Sequence, residues 1–327
     1  AERARTGGYT TEELVSRGEY FTARLMAEYL GLPFIDAADM VAFHHDGTLS
    51  MKRTAELVKE NAREGGFVMP GFYGATKEGK IRLLDRGGGD ISGSILAQCL
   101  EADLYENWTD VSGFLSADPR IVPGAQPIPR ITYEELRELS YMGASVLHEE
   151  AVFPVRDAGI PLVIKNTNAP EDPGTIISEN AKEGDSEPII TGIAGKRGFL
   201  AINVSRDRTK SRIGFMRRAL SVFERYGVSV EHMPTGVDQF AAVVQAADVK
   251  DSLYSLISDI QEEVEPLEIE VVEDLALIAT VGRNLRGRAG ISGHLFGKLG
   301  EAGVSVRMIT QGCDEINIIV GVEERDF

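Results

Sequence analysis

The sequence predicts an α/β protein with a mostly parallel sheet and helices on both faces, followed by a tandem pair of small α+β units of βαββ order. Three observations carry this. Strand-like and helix-like runs alternate through the first half; residues 178–189, SENAKEGDSEPI, turn to acid, Gly, Ser and Pro as interdomain linkers do; and the chain beyond them repeats itself at a period of 76 residues. The predicted boundaries are 1–180 for the α/β domain, 181–190 for the linker, and 191–262 and 263–327 for the two repeats. With 43% hydrophobic and 26% charged residues, the 327-residue chain has globular proportions, which excludes a largely disordered or low-complexity protein.

Taken in order, residues 11–30 place Leu14, Leu25 and Leu30 with Tyr20 and Phe21 on a helical pattern that Gly31 and Pro33 close. PFIDAADMV follows as a short strand, and GGFVMPGFYGA reads as an apolar strand at 67–69 running into a Pro-Gly turn. LLDRGGGDISGSILAQCLEADLYENWTDV holds three consecutive glycines and an Asp, then an apolar helix at 91–100 and a strand at 103–108. The next segment reads as helix, Gly143, helix, Gly159 and a buried strand at 161–165. In the repeat, Arg212 aligns with Arg288, and Gly214, Gly227, Ser229, Gly236 and Asp238 align without gaps on Gly290, Gly303, Ser305, Gly312 and Asp314. FLAINVS at 199 pairs likewise with LALIATV at 275. Each copy carries one apolar helix face, Phe215, Leu220 and Phe223 in the first and Ile291, Leu295 and Leu299 in the second, enough to cover a small sheet.

A formal charge of −17 and the lack of a dense Lys/Arg cluster exclude nucleic acid held by phosphate contacts. Cys99 and Cys313 stand far apart without metal-ligand spacing, so neither a disulfide framework nor a zinc site is predicted, and a reducing cytoplasm fits. No apolar run approaches a bilayer span, so no membrane partner is expected. No GxxxxGK[ST] occurs, which excludes a P-loop.

Four stretches offer chemistry. Arg86-Gly87-Gly88-Gly89-Asp90 lies at a helix start, where backbone N–H groups and the helix dipole favour an anion and Arg86 can grip a carboxylate or phosphate. Asp90 has two readings, an N-cap or a carboxylate facing a substrate or metal–phosphate complex, and the roles can coexist. Thr109 and Asp110 lie just past a strand's carboxyl end with Arg120 downstream; ordinary turn chemistry explains them as well. Ser16-Arg17-Gly18-Glu19 reads as a capping box opening a helix. His148 stands beside two glutamates in VLHEEA without catalytic spacing and receives no role.

RGGGDISGSILA, WTDVSGFLSADPR, ELSYMGASVLHEEAVFP and the repeat with YGVSVEHMPTGVD together resemble the aspartate kinases along essentially the whole chain. The resemblance implies an amino-acid-kinase α/β fold joined to two ACT domains, and transfer of the ATP γ-phosphoryl group to the β-carboxylate of L-aspartate, with Mg²⁺ accompanying ATP. It implies that Glu19 contacts the substrate amino group, that Arg86 grips a substrate carboxylate, that Asp90 is the active-site aspartate, and that Thr109, Asp110, Arg120 and Ser145 contact the nucleotide. It also implies a lysine or threonine effector site between paired ACT domains of a homodimer. Gly214, Phe215, Met216, Ser229, Val230, Glu231 and Thr235 match its effector-contacting positions, although the residues by themselves favour reading Ser229 and Val230 as plain strand residues. No metal site made by the protein alone is implied.

Departures qualify the activity. The family's KxGG[ST] strand-loop occurs nowhere in the chain, Ser145 replaces the Lys of GAKVLH, Leu115 replaces an aromatic nucleotide contact and Gly89 replaces the Ser of RGGSD. The chain opens on AERARTGG without an initiator Met and stops at GVEERDF directly after a strand-like run, so both ends are expected to be cuts. The chain alone is therefore expected to lack turnover. The rival function is a non-catalytic, effector-binding ACT module; a kinase for another amino acid or a nucleotide is disfavoured by the doubled ACT repeat.

Overall fold

The computed structural model describes residues 8–85, 87–144, 146–147, 151–179, 188–207, 209, 211 and 213–327. They form two compact units: one from the described residues within Ala1–Leu115, Gln126–Ser140 and Ser145–Asp185, the other from those within Ser116–Ala125, Tyr141–Ala144 and Ser186–Phe327. Among the described residues no helix is long and apolar enough to cross a membrane.

The first unit opens with α1 (Thr11–Leu30), whose entry differs from the sequence expectation. Thr10, not Ser16, makes the capping box: its Oγ1 accepts from the Glu13 N–H at 3.2 Å while the Glu13 carboxylate accepts from the Thr10 N–H at 2.9 Å. Ser16 is buried one turn inside, its Oγ donating to the Glu13 carbonyl at 2.9 Å, so Glu19 has no capping role. Gly31, in the left-handed region at φ 67°, ends the helix.

Next come β1 (Ala42–Phe43), α2 (Met51–Asn61), β2 (Tyr73–Thr76) and β3 (Ile81–Leu83), forming a sheet of order β1-β2-β3 with β1 parallel and β3 antiparallel to β2. The strand expected at 67–69 is only a bridge from Val68 to Phe34, because Pro70 and Gly71 interrupt it; the paired strand forms after them and is buried at all four residues. Then follow α3 (Gly88–Cys99), β4 (Tyr105–Thr109), β5 (Arg130–Thr132), α4 (Tyr133–Tyr141), α5 (Phe153–Asp157), β6 (Leu162–Asn166) and β7 (Thr175–Ser178). Their sheet runs β4-β6-β7-β5, with β4–β6 and β5–β7 parallel and β6–β7 antiparallel.

The second unit is one five-stranded antiparallel sheet, β11-β12-β10-β8-β9, built from β8 (Gly192–Ser205), β9 (Gln239–Gln245), β10 (Glu268–Val281), β11 (Met308–Thr310) and β12 (Asn317–Glu323). Helices α6 (Phe215–Arg225), α7 (Ala246–Val249), α8 (Leu253–Val264) and α9 (Ile291–Glu301) accompany it. Both β8 and β10 are 14 residues long and serve both repeats. Residues 199–205 of β8 pair with β9, and 201–205 also with 268–272 of β10, whereas 192–196 pair with 277–281, and register shifts between Val272 and Leu277 mark the junction. The expected apolar helix faces close two cores. Phe215, Ala219, Val222 and Phe223 of α6 lie buried with Ile202, Phe240 and Ile260, while Leu295, Phe296 and Leu299 of α9 pack half-buried on Ala276, Ile318, Val320 and Val322. The strand expected after Gly227 is reduced to bridges at His232 and Thr235.

Candidate functional site

At the start of α3, Gly87 takes the left-handed conformation, φ 82°, and turns the chain so that Gly88, Gly89 and Asp90 form the first helical turn. A side chain at Gly88 would meet the Phe72 Cβ at 2.8 Å, so the helix start sits tightly against the loop before β2. Ser92 locks this approach: its Oγ accepts from the Phe72 N–H at 2.9 Å and donates to the Gly88 carbonyl at 2.8 Å. The unpaired N–H groups of such a turn favour an anion. Gly87 occupies the cap position, so the N-cap reading of Asp90 is corrected; its carboxylate lies within the first turn.

That carboxylate is held from β4. Buried Asn107 donates from Nδ2 to Asp90 Oδ1 at 2.9 Å and to the Tyr105 hydroxyl at 3.2 Å, and the Tyr105 hydroxyl donates to the Asp90 carbonyl at 3.1 Å. Burial pushes the Tyr105 phenol up to about 12, with the Asp90 charge adding to the rise, so it remains a neutral donor. Sequence reasoning missed both residues. The signal was the alternation Tyr105-x-Asn107-x-Thr109, which puts three polar groups on one face of the strand.

The carboxyl ends of β4 and β6 carry a second set. The Thr109 carbonyl accepts from the Thr167 N–H at 2.8 Å and from Thr167 Oγ1 at 2.9 Å, while Thr109 Oγ1 donates to Asp110 at 3.3 Å. Asn166 Nδ2 donates to Ser112 Oγ at 2.9 Å, Ser112 donates to Asp172 at 2.5 Å, and Lys165 donates to the Asp172 carbonyl at 2.7 Å. Lys165 escaped the sequence reading because its strand was read only as buried, and Asn166, Thr167 and Asp172 because they lie at that strand's end and in the loop after it, which carried no motif. An open edge at the carboxyl ends of parallel strands is where α/β sheets place ligands.

Arg120 is not brought to Asp110 within this unit. It belongs to the second unit and grips Asp118 through both carboxylate oxygens, at 2.6 to 3.1 Å, which holds the Asp118 carboxyl below its usual range. Glu19 lies exposed on α1. Arg86, Ser145 and His148 lie outside the described residues, as do 180–187 of the expected linker.

In the second unit, Gly214 at φ 76° caps α6, Phe215 is buried and Met216 packs on the core. Glu231 is set by its N–H donating to the Val243 carbonyl at 2.8 Å, and its carboxylate accepts a hydrogen bond from the Tyr141 hydroxyl. Burial, aided by the Asp248 charge, raises its carboxyl above the usual range. Ser229 is exposed and Val230 half-buried in irregular backbone, and Thr235 makes the bridge to Phe240.

Fold and site define an α/β unit whose glycine-opened helix start holds a fixed carboxylate, followed in the chain by a unit built from a duplicated α+β repeat. The family model described as Amino acid kinase family matches residues 2–166, half of the chain, and an ACT domain model matches 278–327. Aspartokinase 3 of Bacillus subtilis is 40% identical over 271 residues, 83% of this chain and 59% of that protein. The Clostridium acetobutylicum aspartate kinase crystal structure superposes with TM-score 0.94 at 46% identity, covering 98% of this chain and 74% of that one. Escherichia coli aspartokinase III, solved with aspartate and ADP, gives TM-score 0.73 at 27% identity over 97% of this chain and 73% of that one. The chain belongs to the amino acid kinase family, among its ACT-bearing aspartokinases. It spans about three fifths of the length of the Bacillus relative.

Proposed function

We propose that this chain serves the aspartate kinase reaction, ATP-dependent phosphorylation of the L-aspartate β-carboxylate to 4-phospho-L-aspartate, and carries a feedback site for lysine or threonine in its ACT pair. The observation that carries it is Asp90, fixed by Asn107 in a glycine-opened first turn of α3. The α3 N-terminus supplies N–H groups and partial positive charge for an anion, Arg86 grips a substrate carboxylate, Asp90 is the active-site aspartate, and Glu19 takes the substrate amino group. Thr109, Asp110, Arg120 and Ser145 serve the nucleotide. The complexes of the Escherichia coli enzyme with aspartate and ADP, and with lysine and aspartate, support this assignment of ligands.

Mg²⁺ enters with ATP and supplies charge neutralisation at the phosphates. Asp90 would face the metal–phosphate complex, whose ion keeps several of its own waters. In the ACT pair, the α6 N-terminus takes an effector's carboxylate and Glu231 its ammonium, with Phe215, Met216, Ser229, Val230 and Thr235 around it. ACT domains pairing across a homodimer complete the site, in the cytoplasm.

KxGG[ST], whose Lys stabilises the transferring phosphoryl group in this family, is absent from the 327 residues, so the chain alone binds ligands without turnover. On that same observation, the isolated chain acts as an effector-binding module. The test is hydroxamate trapping of acyl phosphate from ATP and aspartate by purified 1–327. The expected signal equals the no-enzyme control; a signal above it shows that the chain is a working kinase.

A further inference from the structure

The turn that leaves β4 carries Asp110 out into solvent, and it is fastened along its length to the loop that joins β6 to β7. Thr109 is fixed at its carbonyl by Thr167. The Phe114 N–H donates to Thr175 Oγ1 at 2.8 Å, which itself donates to the Ile128 carbonyl at 2.6 Å. Between these points Gly113, at φ 101°, lies so close to Thr175 that a side chain there would collide with it. The remaining fastening is made by side chains. Ser112 Oγ accepts from Asn166 Nδ2 at 2.9 Å and donates to Asp172 Oδ2 at 2.5 Å, while Asn166 Oδ1 accepts from the Asn168 N–H at 2.8 Å. Each bond in this relay has a fixed direction, because a carboxylate accepts and so takes the hydroxyl proton, leaving the Ser112 oxygen to receive the amide. A bond of that kind is short and about twice as strong as a neutral one.

We propose that Asp172, acting through the Ser112 hydroxyl, is a positioning residue for the nucleotide, holding the turn after β4 in the arrangement that presents Thr109 and Asp110 to it. The inference rests on the reading of Thr109 and Asp110 as nucleotide contacts. Asp110 is exposed, and its carboxylate accepts from Thr109 Oγ1 at 3.3 Å, a long bond that orients it poorly. Where it points is set by the backbone of the turn, which the relay fixes before any ligand arrives. A turn that has to be ordered on binding costs affinity, so a turn already ordered retains it. Asp172 itself touches no ligand. Asp90 is held separately, by Asn107 inside β4, so the group expected to serve the substrate does not hang on this relay.

Calorimetric titration of 1–327 with ADP and Mg²⁺, and separately with L-aspartate, tests the role. Ser112→Ala and Asp172→Ala are each expected to weaken ADP about tenfold, as loss of a hydrogen bond to a charged group would. The double variant is expected to lose no more than the weaker single, because both substitutions remove the same bond. Ser112→Thr keeps the hydroxyl and is expected to stay within about twofold of the unsubstituted chain. Aspartate affinity is expected to be unchanged throughout. ADP affinity unchanged in either alanine variant, losses that multiply in the double variant, or no recovery in Ser112→Thr overturns the proposal. So does a fall in aspartate affinity alongside ADP, which a general loosening of the unit would give. Absence of ADP binding by the unsubstituted chain overturns the nucleotide reading itself and the positioning role with it, and that failure is visible before any variant is made.

Discussion

Asp90 owes its orientation to a neighbour seventeen residues away, and the interaction is buried on one side only. Asn107 has two receivers for its Nδ2, so truncation leaves both the Asp90 carboxylate and the Tyr105 hydroxyl short of a donor. Asn107→Ala is expected to cost about 1–3 kcal/mol of stability by urea titration and to weaken ADP and aspartate binding together, whereas Trp108→Phe on the opposite face of β4 should alter neither. Glu231 carries a pH signature. Its carboxyl is raised by burial, so on acidification it takes up a proton earlier than an ordinary glutamate, and an ammonium ligand needs it ionised. Lysine affinity is therefore expected in full above that raised value, falling as pH drops through it, in a window above the usual carboxylate range. In Glu231→Gln the weakened affinity should be flat over that window. At this scale the motifs showed Asp90 and Glu231 but not their partners, because Asn107, Tyr105 and Tyr141 sit in segments whose sequence announces only strand or helix.

Elements with local punctuation were legible. α1 lies at 11–30 because the Gly31 stop is visible, although two [ST]xxE patterns six residues apart compete for its start; Thr10 wins because its own backbone is extended at φ −72° and ψ 164°, whereas Ser16 already lies inside the apolar periodicity. The early strand near residue 68 failed for the converse reason: apolar content without a partner for its backbone makes a bridge, and Pro70 stops its extension. The start of α3 depends on one backbone conformation. Gly87→Ala forces a side chain into φ 82°, which costs on the order of 1–2 kcal/mol. We expect that loss in chemical denaturation together with reduced ADP affinity, since the same turn aims the N–H groups. Gly89→Ala, where no atom lies within 4 Å of the new Cβ, should be close to neutral for stability.

For the whole molecule, the period of 76 disclosed duplication but not how the copies join. A repeat search reports similarity along the chain, while hydrogen bonding runs across it, so the sharing of β8 and β10 by both repeats emerges only in the strand register. The copies have also diverged in charge. Arg307 stands at the second-repeat position of Glu231 and lies 3.6 Å from Glu323, so an ammonium finds a carboxylate partner in the first copy and a cation in the second. The proposed function has this chain keep the effector site of an aspartokinase whether or not it turns over. Titration calorimetry of 1–327 with lysine and with threonine near neutral pH tests it most directly. The expected result is saturable binding of at least one of them at no more than one site per chain, weakened about tenfold or more by Glu231→Gln. Absence of binding heat for both, or binding unchanged in Glu231→Gln, would contradict it.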